Sequence, residues 1–188
     1  MSSHHIIREK QEPALVILSL EDFPDDWLGQ LLEWSPTVLA TADVAESLQS
    51  QDIKVDIVLS DETLPTQEHV RFVSVINEDI LLTALKLLQT EGYPAVNIVS
   101  NRFNADVVRP FLPAMDVVVY YQQQKIVAVR SGFSKWLPAG RAVRILEHLP
   151  QLVYTNLARV TDNVYKTVHD GWFSISFEGD YLFIAEEL

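Results

Sequence analysis

Short aliphatic runs alternate with amphipathic stretches from Ala14 to Tyr121, which predicts βαβ units and a mostly parallel sheet. Ala14 to Ser19 reads as a buried strand. Pro24 to Trp34 reads as a helix, with Trp27, Leu28, Leu31 and Leu32 on one face, Trp27 in the core, and Asp25 or Asp26 as its cap. Thr37 to Thr41 predicts a second strand, Asp43 to Gln51 a short helix, and Val55 to Leu59 a third strand running into Ser60-Asp61-Glu62-Thr63. Arg71 to Ile76 predicts another strand. The clearest helical period is Glu78 to Thr90, where Ile80, Leu81, Ala84, Leu85 and Leu88 share the apolar side and Gly92 is placed to end it. Val96 to Val99 predicts a strand, Ala105 to Leu112 a short helix cut by Pro110, and Val117 to Tyr121 the last strand of this half.

From Lys125 onward the pattern changes. Ile126 to Arg130, Ala142 to Leu146, Leu152 to Asn156 and Trp172 to Phe177 are short, partly alternating and separated by Gly, Pro and polar turns, with no long helix between them. The expected architecture is therefore an α/β domain over 13–122, followed by a small all-β, sandwich-like domain over 123–188. Gln122, Gln123 and Gln124 lie near the boundary, and residues 1–12 read as a frayed arm.

Composition narrows the function classes. With 48% hydrophobic residues in 188, the chain can bury a substantial core. Its net charge of -12 repels polyanions, so nucleic acid is not an expected partner. There is no cysteine, hence no disulfide and no thiolate nucleophile, which suits a reducing cytoplasm. The early apolar run Ala14 to Leu20 is too short to span a membrane and is broken by Glu21 and Asp22.

In open α/β sheets ligands sit beyond the carboxyl ends of the strands. That rule points to Glu21 and Asp22, Asp43, Asp61 and Glu62, and Ser100 to Asn104. Carboxylates gathered at one rim can hold Mg²⁺ on substrate phosphates. They equally fit solvated turn residues of an acidic protein. No GxGxxG or GxxxxGK[ST] loop is present, and His69, His148 and His169 lack metal-ligand spacing. Trp136, before the turn at Pro138, is placed either to cover a pocket or to pack.

Several segments, in this order, resemble the thiamine pyrophosphokinase family. EPALVILSLE (12–21) and GQLLEWSPTVLATADVAESLQ (29–49) are similar to its opening strand, helix and second strand. IKVDIVLSDET (53–63) resembles its IKPDVVIGDFDS. EDILLTALKLLQTEGYPAVNIVS (78–100) resembles its TDLEKAL helix and the next strand, and SGFSKWLPAGRAVRIL (131–146) the entry into its β domain. The resemblance implies pyrophosphoryl transfer from Mg-ATP to thiamine, with Mg²⁺ and ATP as cofactors and a homodimer with the site at the subunit interface.

Carried over by position, the resemblance makes Asp61 the catalytic carboxylate and Mg²⁺ ligand, with Asp79 beside the position of a second ligand, and Arg102, Asn104 and Asp43 as nucleotide contacts. It also implies erosion. The second acid of GDxDS falls on Thr63, the acids of TDxEKAL fall on Ile80 and Leu82, and in GRxDH the Asp and His fall on Asn104 and Ala105. The glycine- and serine-rich segment that helps hold thiamine is shortened to about 162–171. Removing charge where metal and phosphate meet implies weak or absent transfer. The alternatives are a non-catalytic paralogue that holds a nucleotide or thiamine-like molecule, or a structural dimer. A second resemblance, to phosphorylation receiver domains, rests on DIVLSDETLP (56–65) and the Glu21-Asp22 pair, but Lys125 lacks the following Pro and the β-rich half has no counterpart there.

Overall fold

The continuously apolar runs of the first half become strands buried on both faces, the setting that a parallel sheet between helices requires. In the computed structural model, which describes residues 10, 12–62, 69–76, 78–149 and 151–188, the strands β1 (Ala14–Ile17), β2 (Val38–Thr41), β3 (Ile57–Ser60), β4 (Arg71–Ser74) and β5 (Ala95–Val99) adopt the order β5-β1-β2-β3-β4. All four pairings are parallel. The chain divides after Val117 into two compact units, and this sheet belongs to the first.

Helices α1 (Asp25–Leu32), α2 (Ala42–Gln49) and α3 (Ile80–Thr90) connect the strands. α3 buries Leu81, Ala84, Leu85 and Leu88, the i, i+3, i+4, i+7 stripe of its sequence. It ends in a Schellman motif: Gly92 sits at φ +78, Tyr93 N–H donates to the Leu88 carbonyl at 3.0 Å, and Gly92 N–H donates to the Gln89 carbonyl at 3.0 Å. Two details of α1 differ from expectation. Its N-cap is Pro24, with no side-chain cap, so Asp25 and Asp26 act only as charges in the first turn, and Leu28 alone on the helix is fully buried while Trp27 is half-buried. The predicted helix 105–112 is an α-turn, α4 (Ala105–Val108), continued by a 3-10 turn (Arg109–Phe111), because Pro110 has no N–H for the α-helical bond.

Of the expected arm, residues 1–9 and 11 lie outside the described residues. Lys10 is anchored: its ammonium donates to the Glu91 carbonyl and sits 4.8 Å from the Tyr93 ring centroid.

The second unit is all-β. Strands β6 (Asp116–Tyr121), β7 (Gln124–Val129), β9 (Ala142–Ile145), β11 (Leu157–Arg159), β12 (Val164–Thr167) and β14 (Leu182–Glu187) run in the order β11-β12-β9-β14-β7-β6, all antiparallel. β8 (Phe133–Leu137), β10 (Leu152–Thr155) and β13 (Gly171–Phe177) form a second sheet, order β10-β13-β8. Both sheets contribute to one core, with Val143, Ile145 and Ile184 from one and Phe173, Ile175 and Phe177 from the other. β8, β11, β12 and β14 were not anticipated. Trp136 is a strand residue on β8 and is 51% exposed.

The glutamines at 122 and 123 are the two loop residues of the β6–β7 hairpin, at φ 49 and 56. A two-residue loop with both residues left-handed is the type I′ geometry that Asn-Gly normally fills. Gln123→Gly is expected to raise stability by about 1 kcal/mol in urea unfolding, with an unchanged m-value. The side chains of Asp79 and Asn104 occupy N-cap positions, accepting from Leu82 N–H at 3.1 Å and Asp106 N–H at 3.0 Å. Asp79→Ala and Asn104→Ala should each cost about 1 kcal/mol in the same measurement, as cap losses do.

Candidate functional site

Parallel pairing brings the carboxyl ends of β1, β2, β3 and β5 to one rim of the first unit, and three of the four turn by the same local device. A serine ends the apolar run, and its hydroxyl oxygen accepts the N–H two residues on: Glu21 N to Ser19 Oγ at 3.2 Å, Glu62 N to Ser60 Oγ at 3.0 Å, and Arg102 N to Ser100 Oγ at 3.2 Å. After β2 the equivalent contact is between side chains, the Thr41 hydroxyl donating to Asp43 Oδ1 at 2.6 Å. These turns hold the residues that follow each strand at the mouth of a cavity.

The cavity has a volume of about 600 Å³. Asp43, Asp61 and Arg102 line it, so three of the residues expected from sequence meet in one place. Leu18, Leu59 and Ile80 supply apolar wall, and Thr41, Ser60 and Asn101 supply hydroxyl and amide groups. β1 lies between β2 and β5, so connections leave it in opposite directions on its two sides. That makes the β1/β5 rim a topological switch point, where open sheets open a crevice. Asn101 Nδ2 donates to Glu21 Oε2 at 3.2 Å and ties the β5 loop to the β1 loop across it.

The other two expected residues sit elsewhere. Asp79 and Asn104 do not line the cavity, and each side-chain oxygen caps a helix. Ile80, first residue of α3, faces the cavity in place of Asp79. Glu78, next to that cap, accepts from the Lys86 ammonium and from the Thr83 hydroxyl at 3.1 Å. The Lys86 hydrogen bond holds its carboxyl below the usual carboxylate range, so Glu78 is ionised and engaged on its own helix. Thr63 lies outside the described residues.

The donor set that the described residues bring to the cavity does not fit a divalent cation bridging phosphates. Among the described residues no three His, Cys, Asp or Glu side chains gather as a metal site. Of the two cavity carboxylates, Asp43 already accepts a hydroxyl, and Ile80 adds an aliphatic side chain, with no oxygen for a hard cation, to the lining. Sequence reasoning passed over Ser19, Ser60, Thr41 and the pairing of Asn101 with Glu21. The signal was present as S-L-E, S-D-E and S-N-R at the ends of three apolar runs.

In the second unit a smaller cavity of about 310 Å³ is lined by Tyr154, Tyr165 and Arg159 among others. The Arg159 guanidinium there is engaged by its own hairpin turn, donating to Thr161 O at 3.1 Å and Asp162 Oδ1 at 2.9 Å. Among the described residues no helix is long and apolar enough to cross a membrane.

No family model matches the sequence, and no curated protein matches it. Solved structures do. Thiamin pyrophosphokinase from Geobacillus thermodenitrificans matches with a TM-score of 0.69 at 8% identity, covering 93% of this chain and 97% of that one. The Candida albicans thiamin pyrophosphokinase matches with a TM-score of 0.66 at 10% identity, covering 94% and 89%. Thiamine pyrophosphokinase from Bacillus subtilis matches with a TM-score of 0.64 at 11% identity, covering 94% and 99%. With a five-stranded parallel sheet ahead of a β-sandwich, and with these neighbours across nearly its whole length, the chain has the thiamin pyrophosphokinase fold.

Proposed function

We propose that this protein holds a small molecule, of nucleotide or thiamine-like kind, in the crevice at the strand ends, and that pyrophosphoryl transfer from Mg-ATP to thiamine is absent or vestigial. The observation that carries the reading is the cavity wall itself: Asp43, Asp61 and Arg102 remain, and Ile80 faces them. Phosphoryl transfer relies on positioning and on neutralising charge around the phosphates, which metal-bound carboxylates supply. Two carboxylates and one guanidinium can orient a ligand but offer too few oxygens for that centre. In this reading Asp61 is the residual polar anchor and the position of any surviving catalysis, with Asp43 and Arg102 as further ligand contacts. Residues 13–122 carry the ligand, and 123–188 serve association. The absence of cysteine suits the reducing cytoplasm, where we place the protein.

The partner we propose is a second copy of the chain. On the outer face of the β10-β13-β8 sheet, Trp136 lies directly opposite Trp172, and Ser134, Ser174, Ser176, Thr155 and Val153 complete the face. None of these seven is charged, and the tryptophans are 51% and 66% exposed. A chain of net charge -12 repels its own copy over most of its surface, so an uncharged aromatic face is where two copies approach at least electrostatic cost.

Two experiments test these statements. In a coupled assay with ATP, thiamine and Mg²⁺, the expected result is AMP at or barely above the enzyme-free rate; sustained multiple turnover abolished by Asp61→Asn would overturn this reading. In sedimentation at micromolar concentration the protein should run as a dimer, and the Trp136→Ser, Trp172→Ser double variant as a folded monomer. A monomeric parent protein, or a dimer indifferent to both changes, would refute the face.

A further inference from the structure

The chemistry of the crevice narrows its ligand further, granted the proposed reading that the crevice is a small-molecule site. Among the described residues its ionisable lining is Asp43, Asp61 and Arg102, a formal charge of one negative unit inside a chain of net charge -12. Neither the Asp61 carboxylate nor the Arg102 guanidinium has a side-chain hydrogen bond or ion pair among the described residues, whereas Asp43 keeps one oxygen free of the Thr41 hydroxyl. The sequence has no glycine-rich phosphate loop.

We infer that the crevice binds its ligand without a divalent cation, and that the ligand is of the nucleoside class with at most one phosphate, in preference to a triphosphate. A metal-free triphosphate carries several negative charges into a site that offers one guanidinium and two carboxylates of its own sign. Coulomb repulsion in a partly enclosed cavity then opposes binding. A single phosphate is different, because one guanidinium meets one phosphate through two parallel hydrogen bonds. The carboxylates, which reject phosphate, are strong acceptors for hydroxyl donors. A carboxylate just beyond the second strand of an open α/β sheet is a recurrent holder of a ribose hydroxyl, and Asp43 stands there after β2. Leu18, Leu59 and Ile80 provide the apolar surface that a planar base covers. The side chain that excludes the cation thus also supplies wall for the ring.

Calorimetric titration of the purified protein tests this with the four common nucleosides and their mono-, di- and triphosphates, each in EDTA and in millimolar Mg²⁺, with thiamine as a parallel arm. The expected result is that at least one nucleoside or monophosphate binds with the same Kd in EDTA and Mg²⁺, and about tenfold or more tightly than its triphosphate in EDTA. Arg102→Ala should erase the advantage of the monophosphate over its nucleoside. A triphosphate that binds best, or any nucleotide whose binding needs Mg²⁺, overturns the inference while leaving the small-molecule reading intact. Binding of thiamine alone does the same. If none of the probes binds at millimolar concentration, both the inference and the reading fail.

Discussion

The site depends first on parallel hydrogen bonding between β1 and its two neighbours, β2 on one side and β5 on the other. Parallel pairing sends every strand's carboxyl end to the same rim, and placing β1 between β2 and β5 opens the rim at a switch point. Once that register is set, Leu18, Asp43, Asp61 and Arg102 meet although they are far apart in sequence. The strands are short, four or five residues each, and β1 is fully buried, so the register is fixed by burial on both faces rather than by length.

Much of this was legible in the sequence because buried parallel strands are continuous apolar runs. Ala14 to Ser19, Thr37 to Thr41 and Val96 to Val99 read as strands on that ground alone, within one or two residues of the observed β1, β2 and β5, and the stripe through Leu81, Ala84, Leu85 and Leu88 fixed α3. The β-rich half was harder. β11 has three residues, and Val164 to Thr167 and Phe133 to Leu137 alternate over too few positions to separate a strand from a polar loop. The cap of α1 was misread because an aspartate next to a helix start is a common cap, whereas here the chain enters through Pro24 and the acids fall one position inside.

The candidate site was legible in its charges and not in its geometry. Asp43, Asp61 and Arg102 were identifiable as polar residues just past apolar runs. Sequence could not separate them from Asp79 and Asn104, whose side chains turn back to cap helices. At α3 that distinction is made by a rotation of one residue, which puts Ile80 rather than Asp79 toward the cavity. The same rotation carries the functional argument: a fold shared with enzymes named for thiamine pyrophosphorylation presents a hydrocarbon side chain beside Asp61.

The central claim, that the crevice around Asp61 is a ligand site and not a metal centre, is tested most directly by titrating Mn²⁺ into the ¹⁵N-labelled protein and following paramagnetic broadening of its amide resonances. The account predicts broadening spread over exposed acidic residues in proportion to exposure, with none selective for Thr41 to Asp43 or Ser60 to Glu62. Selective loss of those resonances at substoichiometric Mn²⁺ would contradict it.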